Sequence, residues 1–290
     1  MTLNEDKNNQ LYKLFRQSCW EQNKVFCVKC KSKKIYKLTS IVDKKRYRCK
    51  ICSHTFHDYS ERWLNKVNLT LLKWAKLIRY FCEGTSATRT AKELRISYPT
   101  TLKAFNIIRL SIAQQSSDWK LLKKKLKASS FLSYKSLKNR KLKNSKKINI
   151  FGITEKNNNV STIFLESLAI QELLKLNIKF HKSGCLVFSE KFKKYDYLLS
   201  YIKKNHNITS IKNIATQNIK NGFKEYLEKR INKYFGVTNE LFPLYLKEIT
   251  FKFNYRSPYE ETDILAYIRT GGGFDRMHKI LYSYLTNFAD

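Results

Sequence analysis

The sequence has few acidic residues and no long apolar run. It contains 23 aspartates and glutamates against 57 lysines and arginines. No stretch approaches the ~18 consecutive apolar residues of a membrane span. The opening segment, MTLNEDKNNQ, is polar and contains acids, unlike a secretion signal or a transit peptide. These absences exclude a membrane-embedded protein and predict an intracellular one in a reducing compartment.

The excess of positive charge predicts a polyanionic partner. A formal net charge of +34 is far more than solubility requires and is typical of proteins that bind nucleic acid. Codon bias is an alternative interpretation, because lysine greatly outnumbers arginine and asparagine and isoleucine are frequent. Such bias enriches lysine but does not remove acids. We therefore expect double-stranded DNA as the partner, in the nucleus of a eukaryote or the cytoplasm and nucleoid of a bacterium.

Four of the seven cysteines form two C-x-x-C pairs. The pairs are Cys27 with Cys30 and Cys49 with Cys52, and eighteen residues separate them. Two residues between thiolates let both reach one ion at about 2.3 Å, and two such pairs complete a tetrahedron. The segment between the pairs predicts a small hairpin, so the unit is predicted to be a zinc ribbon with a structural Zn²⁺. Two disulfides or a redox C-x-x-C are alternatives that the spacing and the missing secretion signal disfavour.

Three helices are predicted after the ribbon. The first can be capped by Asn68 or Thr70 and ends at Gly84. Ser86 can cap the next, shorter helix, and the third runs from about Pro99 to residue 114. These signals place a continuous helical region directly after the four cysteines.

The second and third of these helices, joined by a turn at residues 95–97, show the helix-turn-helix pattern. In that motif the second helix enters the major groove of DNA. The residues that we expect to contact DNA are Arg89, Lys92, Arg95, Thr100, Thr101, Lys103 and Asn106. An ordinary helical hairpin within a core is the alternative interpretation.

Strands and helices alternate in the second half of the chain. A strand hairpin is predicted from 148–154 and 160–167, and further strands at 185–190 and 208–214; helices are predicted at 170–176, 195–205, 218–235 and 240–256. This order is typical of a ribonuclease-H-like fold. The chain is therefore predicted to be an α+β multi-domain protein: residues 1–66 an N-terminal helix and zinc ribbon, 67–118 a helix-turn-helix DNA-binding region, 119–256 a ribonuclease-H-like α/β core, and 257–290 a C-terminal helical tail.

Three segments resemble the zinc-ribbon insertion-sequence transposases related to Merlin elements. YRCKICSHTF resembles the second cysteine knuckle, KINIFGITEKNNNVSTIFLE the paired strands after the first catalytic acid, and residues 218–256 the helix of the third catalytic residue and the basic helix after it. The resemblance covers about residues 20–256. It implies a DDE-type core, in which three acids hold two metal ions, Mg²⁺ in an active enzyme, to cleave and join DNA.

The catalytic positions depart from the family pattern. The first acid should lie on the strand SSFLSY, where Phe131 stands instead. Glu190 takes the second position, one methylene longer than aspartate, and Asn221 takes the third, or Lys220 if the register slips by one. We therefore expect a transposase-derived protein that binds element-end DNA without strand transfer, with Glu190 and Asn221 as vestigial catalytic residues.

Other hypotheses stay open. An active DDE enzyme could use unusual ligands, for example Glu155 and Glu190 with Glu225 or Glu228, and would need three carboxylates within reach of a metal. A zinc-ribbon transcription factor or RNA-binding protein would have no transposase ancestry. Residues 120–147 carry twelve lysines or arginines and no acid, which fits either a phosphate-tracking arm or a loop of biased composition. A homodimer is also compatible with the sequence.

Overall fold

The structure is a computed structural model that describes residues 12–20, 24–41, 44–128, 147–157, 159–169, 178–202, 222–234, 237–256 and 272–289. The chain forms two compact units. Unit 1 consists of Met1–Ile112 with Tyr255–Asp290, and unit 2 of Ala113–Asn254. Both contain helices and strands, which confirms the mixed α and β composition. Among the helices in these ranges, none is long and apolar enough to cross a membrane.

The elements are numbered in chain order. The helices are α1 (12–19), α2 (Leu71–Glu83), α3 (Ala87–Leu94), α4 (Tyr98–Gln114), α5 (Trp119–Ala128), α6 (Gly222–Ile231), α7 (Phe242–Tyr255) and α8 (Gly272–Thr286). The strands are β1 (Ile35–Ile41), β2 (Lys44–Cys49), β3 (Thr55–His57), β4 (Lys147–Lys156), β5 (Asn159–Ala169), β6 (Phe180–Ser183), β7 (Leu186–Ser189) and β8 (Tyr197–Tyr201). The predicted SSFLSY strand, the helix at 170–176 and the strand at 208–214 lie outside the described residues.

The ribbon of unit 1 is a three-stranded antiparallel sheet in the order β1-β2-β3. The predicted hairpin is β1 with β2, and β3 adds a third strand on the other side of β2. Successive side chains of a strand point to opposite faces. Tyr47, Cys49 and Phe56 lie on the inner face and are buried. The ribbon therefore has one packed face and one face toward solvent.

A buried carboxylate joins α1 to the ribbon. Asp58 accepts hydrogen bonds from the indole Nε1 of Trp20 at 2.7 Å and from the Tyr47 hydroxyl at 3.0 Å. The Tyr12 hydroxyl (2.9 Å) and the Lys45 backbone N–H (3.2 Å) donate to its other oxygen. A carboxylate removed from water requires such donors, because an unsatisfied buried charge is strongly destabilising. Asp58 thus fixes α1 on the inner face of the sheet.

Arg62 ties the segment after α8 to the same region. Its guanidinium is buried and donates to the backbone carbonyls of Cys19 (2.6 Å), Asp58 (2.9 Å) and Thr286. The same group stacks on the ring of Phe288, 4.4 Å from its centroid. A planar guanidinium with several fixed donors suits a junction of three backbone segments. Helix α8 and the residues after it are consequently part of the ribbon's packing.

The helices α2 and α3 begin and end where the sequence predicts. The hydroxyl of Thr70 accepts from the backbone N–H of Lys73, and Gly84 ends α2 in the left-handed conformation with φ 75°. Ser86 caps α3 through the N–H of Arg89. Helix α3 ends at Leu94, and the next residue, Arg95, also adopts a left-handed conformation, with φ 50° and ψ 53°. A short turn then leads into α4, as predicted.

Unit 2 contains a five-stranded sheet in the order β5-β4-β8-β7-β6, antiparallel at every pairing. The predicted hairpin of β4 and β5, the buried strand β7 and the helix α7 are confirmed. The predicted helix at 195–205 is wrong, because Tyr197–Tyr201 forms strand β8. Strand β6 was not predicted. The ribonuclease-H-like prediction rested on strands that alternate with helices, a pattern typical of parallel strands because these need helical crossovers. The antiparallel pairing of this sheet differs from that pattern.

The helix α7 is held to the sheet by a buried ion pair. The Lys247 ammonium lies 2.8 Å from Asp118 Oδ1 and also donates to the carbonyl of Thr162. The other oxygen of Asp118 accepts the backbone N–H of Phe164 at 2.6 Å. This N–H lies at a bulge, where the register of β5 against β4 shifts by one residue. Asp118 therefore accepts the backbone N–H of Phe164 at the point where the bulge interrupts the ladder between β4 and β5.

A second buried ion pair lies one turn further along α7. Lys252 Nζ is 2.5 Å from Glu248 Oε1, and both side chains are almost fully buried. The hydroxyl of Tyr234 donates to the same carboxylate at 2.7 Å. Helix α7 thus carries two lysines into the interior of unit 2, each with its own acid.

Candidate metal centre and nucleic-acid surface

The four cysteines of the two C-x-x-C pairs converge at one end of the ribbon. Their sulfurs all lie within 4.8 Å of one another. The short contacts run between the pairs, from Cys27 to Cys52 at 3.6 Å and from Cys30 to Cys49 at 3.5 Å. Four sulfurs bound to one zinc at about 2.3 Å lie about 3.8 Å apart. Among the described His, Cys, Asp and Glu residues, this is the one group that could hold a metal ion.

The two cysteine knuckles share one backbone geometry. The residue after the second cysteine of each pair, Lys31 or Ser53, adopts a left-handed conformation, with φ of 60° and 54°. In each pair the N–H of the first cysteine donates to the carbonyl five residues further on, at 2.8 Å and 3.0 Å. This turn brings both sulfurs of a pair to the same side, which is why two intervening residues suit a shared ion.

The surroundings of the Cys49 sulfur favour the form that binds metal. The backbone N–H groups of Cys52 and Ile51 lower the pKa of the Cys49 thiol to about 6. A thiolate, not a thiol, is the ligand for zinc. Four sulfur donors fit Zn²⁺ and leave no position for a water molecule, so the residues fit a structural ion. Cys27, Cys30, Cys49 and Cys52 would hold it.

The residues expected to contact DNA differ in their exposure. Those with exposed side chains are Arg89, Lys92 and Arg95, and those half-buried are Thr100, Lys103 and Asn106. Thr101 is fully buried, and its hydroxyl donates to the carbonyl of Ser97 at 3.2 Å. The expectation that Thr101 faces a partner is therefore wrong. The sequence held this signal, because Thr101 precedes the buried Phe105 by four residues and so shares its face of α4.

The half-buried polar residues of α4 make contacts within their own unit. Asn106 Oδ1 accepts a hydrogen bond from Arg109 at 2.8 Å. The Arg109 guanidinium is buried and lies 5.8 Å from the Phe81 ring centroid and 6.0 Å from that of Phe105. An asparagine reads adenine with both its oxygen and its nitrogen. Asn106 would have to release Arg109 to do so, which makes it a weaker candidate than the exposed cations.

The carboxylates proposed for catalysis are not brought together. The Glu190 side chain is 51% exposed and lies 4.0 Å from the Lys179 ammonium. Glu155 accepts a hydrogen bond from the Tyr197 hydroxyl at 2.9 Å, and Glu225 pairs with Lys229 on the surface of α6. No three carboxylates in the described ranges lie within metal reach of one another. Phe131, Lys220 and Asn221 lie outside these ranges.

The outer face of the ribbon sheet is a surface that we did not predict. The residues of this outer ribbon face, alternating with the buried inner positions, are Tyr36, Leu38, Arg46, Arg48, Thr55 and His57. Tyr36 lies opposite Arg48, and Leu38 opposite Arg46. The signal for this surface was the alternation of aromatic and basic residues in YKL (36–38) and RYR (46–48). Reading this signal requires the register of the hairpin, which decides which residues share a face.

Comparison with known protein families gives a match in the first part of the chain. A family model described as the transposase zinc-ribbon domain, named for IS1595, matches residues 7–55. The match includes all four cysteines and ends before α2. No curated protein and no solved structure matches the chain. The match supports a relationship to insertion-sequence transposases through the ribbon.

Proposed function

We propose that this chain is a transposase-derived protein that binds double-stranded DNA at element ends and does not cut it. The observation that carries the proposal is the four-thiol ribbon, which matches a transposase zinc-ribbon domain and is followed in the same unit by a helix pair with exposed cations. A net charge of +34 is consistent with a polyanionic partner.

In this proposal α3 and α4 act as a helix-turn-helix. The N-terminal part of α4 lies in the major groove, as second helices of such motifs do. Arg89, Lys92 and Arg95 are exposed on α3 and at its end, where they can bind phosphates on either side of the groove. Lys103 lies further along α4 and supplies one more cation. Phosphate contacts of this kind set the position of a protein on DNA, and base contacts set its sequence preference.

The proposed loss of strand transfer is supported by the arrangement of the carboxylates. A two-metal site requires carboxylates that bridge ions about 3.5–4 Å apart. Glu190 is instead at the surface beside Lys179, and Glu155 is hydrogen-bonded to Tyr197. Neither geometry resembles a metal ligand set, so the active-enzyme alternative with these glutamates is disfavoured.

The binding proposal is tested with the zinc-loaded full chain and a labelled duplex from the DNA that flanks its gene. We expect Lys103→Ala to weaken binding and to lower the slope of log K against log salt by about one, because one phosphate contact is lost. Lys76→Ala, which removes the same charge from α2, is the matched control and should leave the slope unchanged. Equal slopes for Lys103→Ala and the wild type would remove α4 from the interface. Tighter binding of a hairpin RNA than of the duplex would favour the RNA-binding alternative.

The catalytic part is tested with a supercoiled plasmid carrying the same flanking DNA. We expect no nicking with Mg²⁺ or Mn²⁺ where duplex binding is saturated. Metal-dependent nicking that disappears in Glu190→Ala would contradict the proposal and support the active enzyme. Nicking that persists in Glu190→Ala would come from a contaminating nuclease or from ligands other than Glu190, and a second preparation over a different resin separates these two sources.

A further inference from the structure

The outer ribbon face presents an aromatic ring among cations. Tyr36 is 40% exposed near the start of β1. Arg48 is exposed directly across from it on β2, and Arg46 lies two residues away on the same side of the sheet. Two residues along a strand span about 6.8 Å, so the two guanidinium groups form a short row beside the ring.

The charge on this face has a single sign. In the described ribbon, residues 24–41 and 44–57, no aspartate or glutamate occurs, and Asp43 is the one acid of the sequence between positions 24 and 57. Within those ranges neither Arg46 nor Arg48 forms an ion pair. Asp58, the next acid along the chain, is fully buried and hydrogen-bonded on the other side of the sheet. The face is therefore complementary to a polyanion.

We propose that the outer ribbon face binds single-stranded DNA, with Tyr36 stacking on an unpaired base and Arg46 and Arg48 holding adjacent phosphates. In a duplex both faces of each base are covered by its neighbours, and a protein reaches only base edges. An exposed ring on a flat sheet makes its largest contact with a base whose face is free, and aromatic platforms flanked by cations are typical of single-strand binding.

The third strand completes the platform. Thr55 lies beside Arg48, and His57 lies beside Arg46. Burial and the positive charges of Lys44 and Arg46 lower the pKa of His57, although the nearby Asp58 opposes this shift. His57 is thus a neutral ring at physiological pH, and it offers a second aromatic surface next to the arginine row. The transposase zinc-ribbon match favours DNA over RNA as the source of the strand.

This inference goes beyond the proposed function, because its ligand is an unpaired strand and its surface is the sheet, not α3 and α4. The two can fail separately. Duplex binding depends on Lys103 and single-strand binding on Tyr36, so each variant serves as a test of one surface in the presence of the other.

The test is fluorescence polarisation of the zinc-loaded full chain with a ~12-nucleotide oligothymidine, a length within the range of sites that single-strand binding folds cover. We expect Tyr36→Ala to weaken binding about tenfold, the loss typical of one stacked base, and Tyr36→Phe to bind within about twofold of the wild type. Tyr80→Ala is the control, because Tyr80 is a half-buried tyrosine of α2 and lies outside the ribbon and outside α3 and α4. It should leave oligothymidine binding unchanged.

The arginine row is tested in the same assay by varying salt. Arg48→Ala should lower the salt slope by about 0.7, the value expected for one phosphate contact on a single strand. Zinc content is measured for every variant, so that a ribbon that fails to fold is recognised, and the folded Tyr36→Phe and Arg48→Ala proteins then decide the question.

Three results would overturn the proposal. The first is oligothymidine binding that Tyr36→Ala and Arg48→Ala both leave at the wild-type level. The second is an equal loss on a blunt duplex of the same length in Tyr36→Ala, which would make the ribbon a groove binder. The third is at least tenfold tighter binding of oligouridine than of oligothymidine, which would identify RNA as the ligand.

Discussion

Each unit has a buried aspartate, and the two are held in different ways. Asp58 in unit 1 is surrounded by an indole, two phenols and a backbone N–H, with Arg16 3.7 Å away. Asp118 in unit 2 forms a direct ion pair with Lys247 at 2.8 Å. Unit 1 thus satisfies its acid mostly with neutral donors, and none of its described lysines is buried.

Unit 2 takes lysines into its interior. Lys247 and Lys252 are both buried and both paired with acids. The comparison shows that a net charge of +34 does not describe one continuous binding surface. Cations count toward a nucleic-acid interface only where they are exposed, and in the described residues unit 1 offers the clearer case. The difference also predicts that unit 1 is most sensitive to loss of a zinc ligand and unit 2 to loss of a buried ion-pair partner.

Removing one zinc ligand should have the largest effect. Cys49→Ser is expected to lose the zinc, about one ion per chain, and to unfold the ribbon, since metal binding of ~10–16 kcal/mol contributes directly to the folding of such units. Inductively coupled plasma emission spectrometry measures the loss of zinc. Cys185→Ser, in unit 2, is the control and should retain the ion. A Cys49→Ser protein with a full equivalent of zinc would show that the cluster is not the metal centre.

The second-largest effect should come from breaking the buried ion pair between Lys247 and Asp118 in unit 2. Lys247→Met leaves Asp118 buried without its cation and is expected to lower the free energy of unfolding by about 3–5 kcal/mol. Burial lowers the pKa of Lys247, although Asp118 opposes this, so the lysine is already a desolvated group. Urea unfolding measures the change. Adding Asp118→Asn to Lys247→Met should recover at least half of it.

The exposed pair on α6 is the control for this comparison. Lys229→Ala removes a partner that lies 2.8 Å from Glu225 at the surface, where water screens the interaction. It should not change the urea midpoint. A loss in Lys229→Ala as large as in Lys247→Met would mean that burial is not what distinguishes the pairs.

A smaller effect of opposite sign is expected at the end of α3. Arg95 adopts φ 50°, a conformation that costs a side chain other than glycine about 1 kcal/mol or more. Arg95→Gly should raise the free energy of unfolding by about 1 kcal/mol and, at the same time, weaken duplex binding. Gly84→Ala, at φ 75°, should destabilise by a similar amount and is the mirror control. An Arg95→Gly protein that is destabilised would mean that the side chain packs, and that its role is structural.

The smallest effect should be a pH-dependent gain in the stability of unit 2. Burial and the nearby Asp196 raise the pKa of Glu155, although the hydrogen bond from Tyr197 opposes this. Because the folded-state pKa is raised, ionising Glu155 costs stability, and this cost develops as the pH rises from the unfolded-state pKa through the folded-state pKa. Glu155→Gln should therefore be more stable by about 0.5 kcal/mol at neutral pH, after screening of a half-buried group, and equal to the wild type near pH 4. A gain that is the same at both pH values would exclude titration as its cause.

Local signals predicted most of unit 1. The ligands of the ribbon are separated by two residues within each pair, and the caps Thr70 and Ser86 lie next to the helices that they start. Such features need no knowledge of distant residues. The polar character of Thr101 suggests an exposed position, but its spacing of four residues from Phe105 places it on the buried face of α4.

Long-range contacts explain what the sequence did not reveal. Strand β8 lies between β4 and β7, and all five of its residues are buried. A strand covered on both faces loses the alternation that identifies strands, so its apolar run resembled a helix. The pairing of Lys247 with Asp118 joins residues 129 positions apart. No local pattern specifies such a partner.

The junction at Arg62 has a consequence for the order of events during synthesis. One of its three carbonyl partners belongs to Thr286, and Phe288 supplies a ring. At ~5–20 residues per second, the ribosome needs on the order of ten to fifty seconds to pass from Arg62 to these residues. During that interval the nascent ribbon can gather its cysteines around zinc, but the guanidinium lacks its final acceptor. The whole of unit 2 emerges before unit 1 is closed, so the first region to begin folding is the last to be completed.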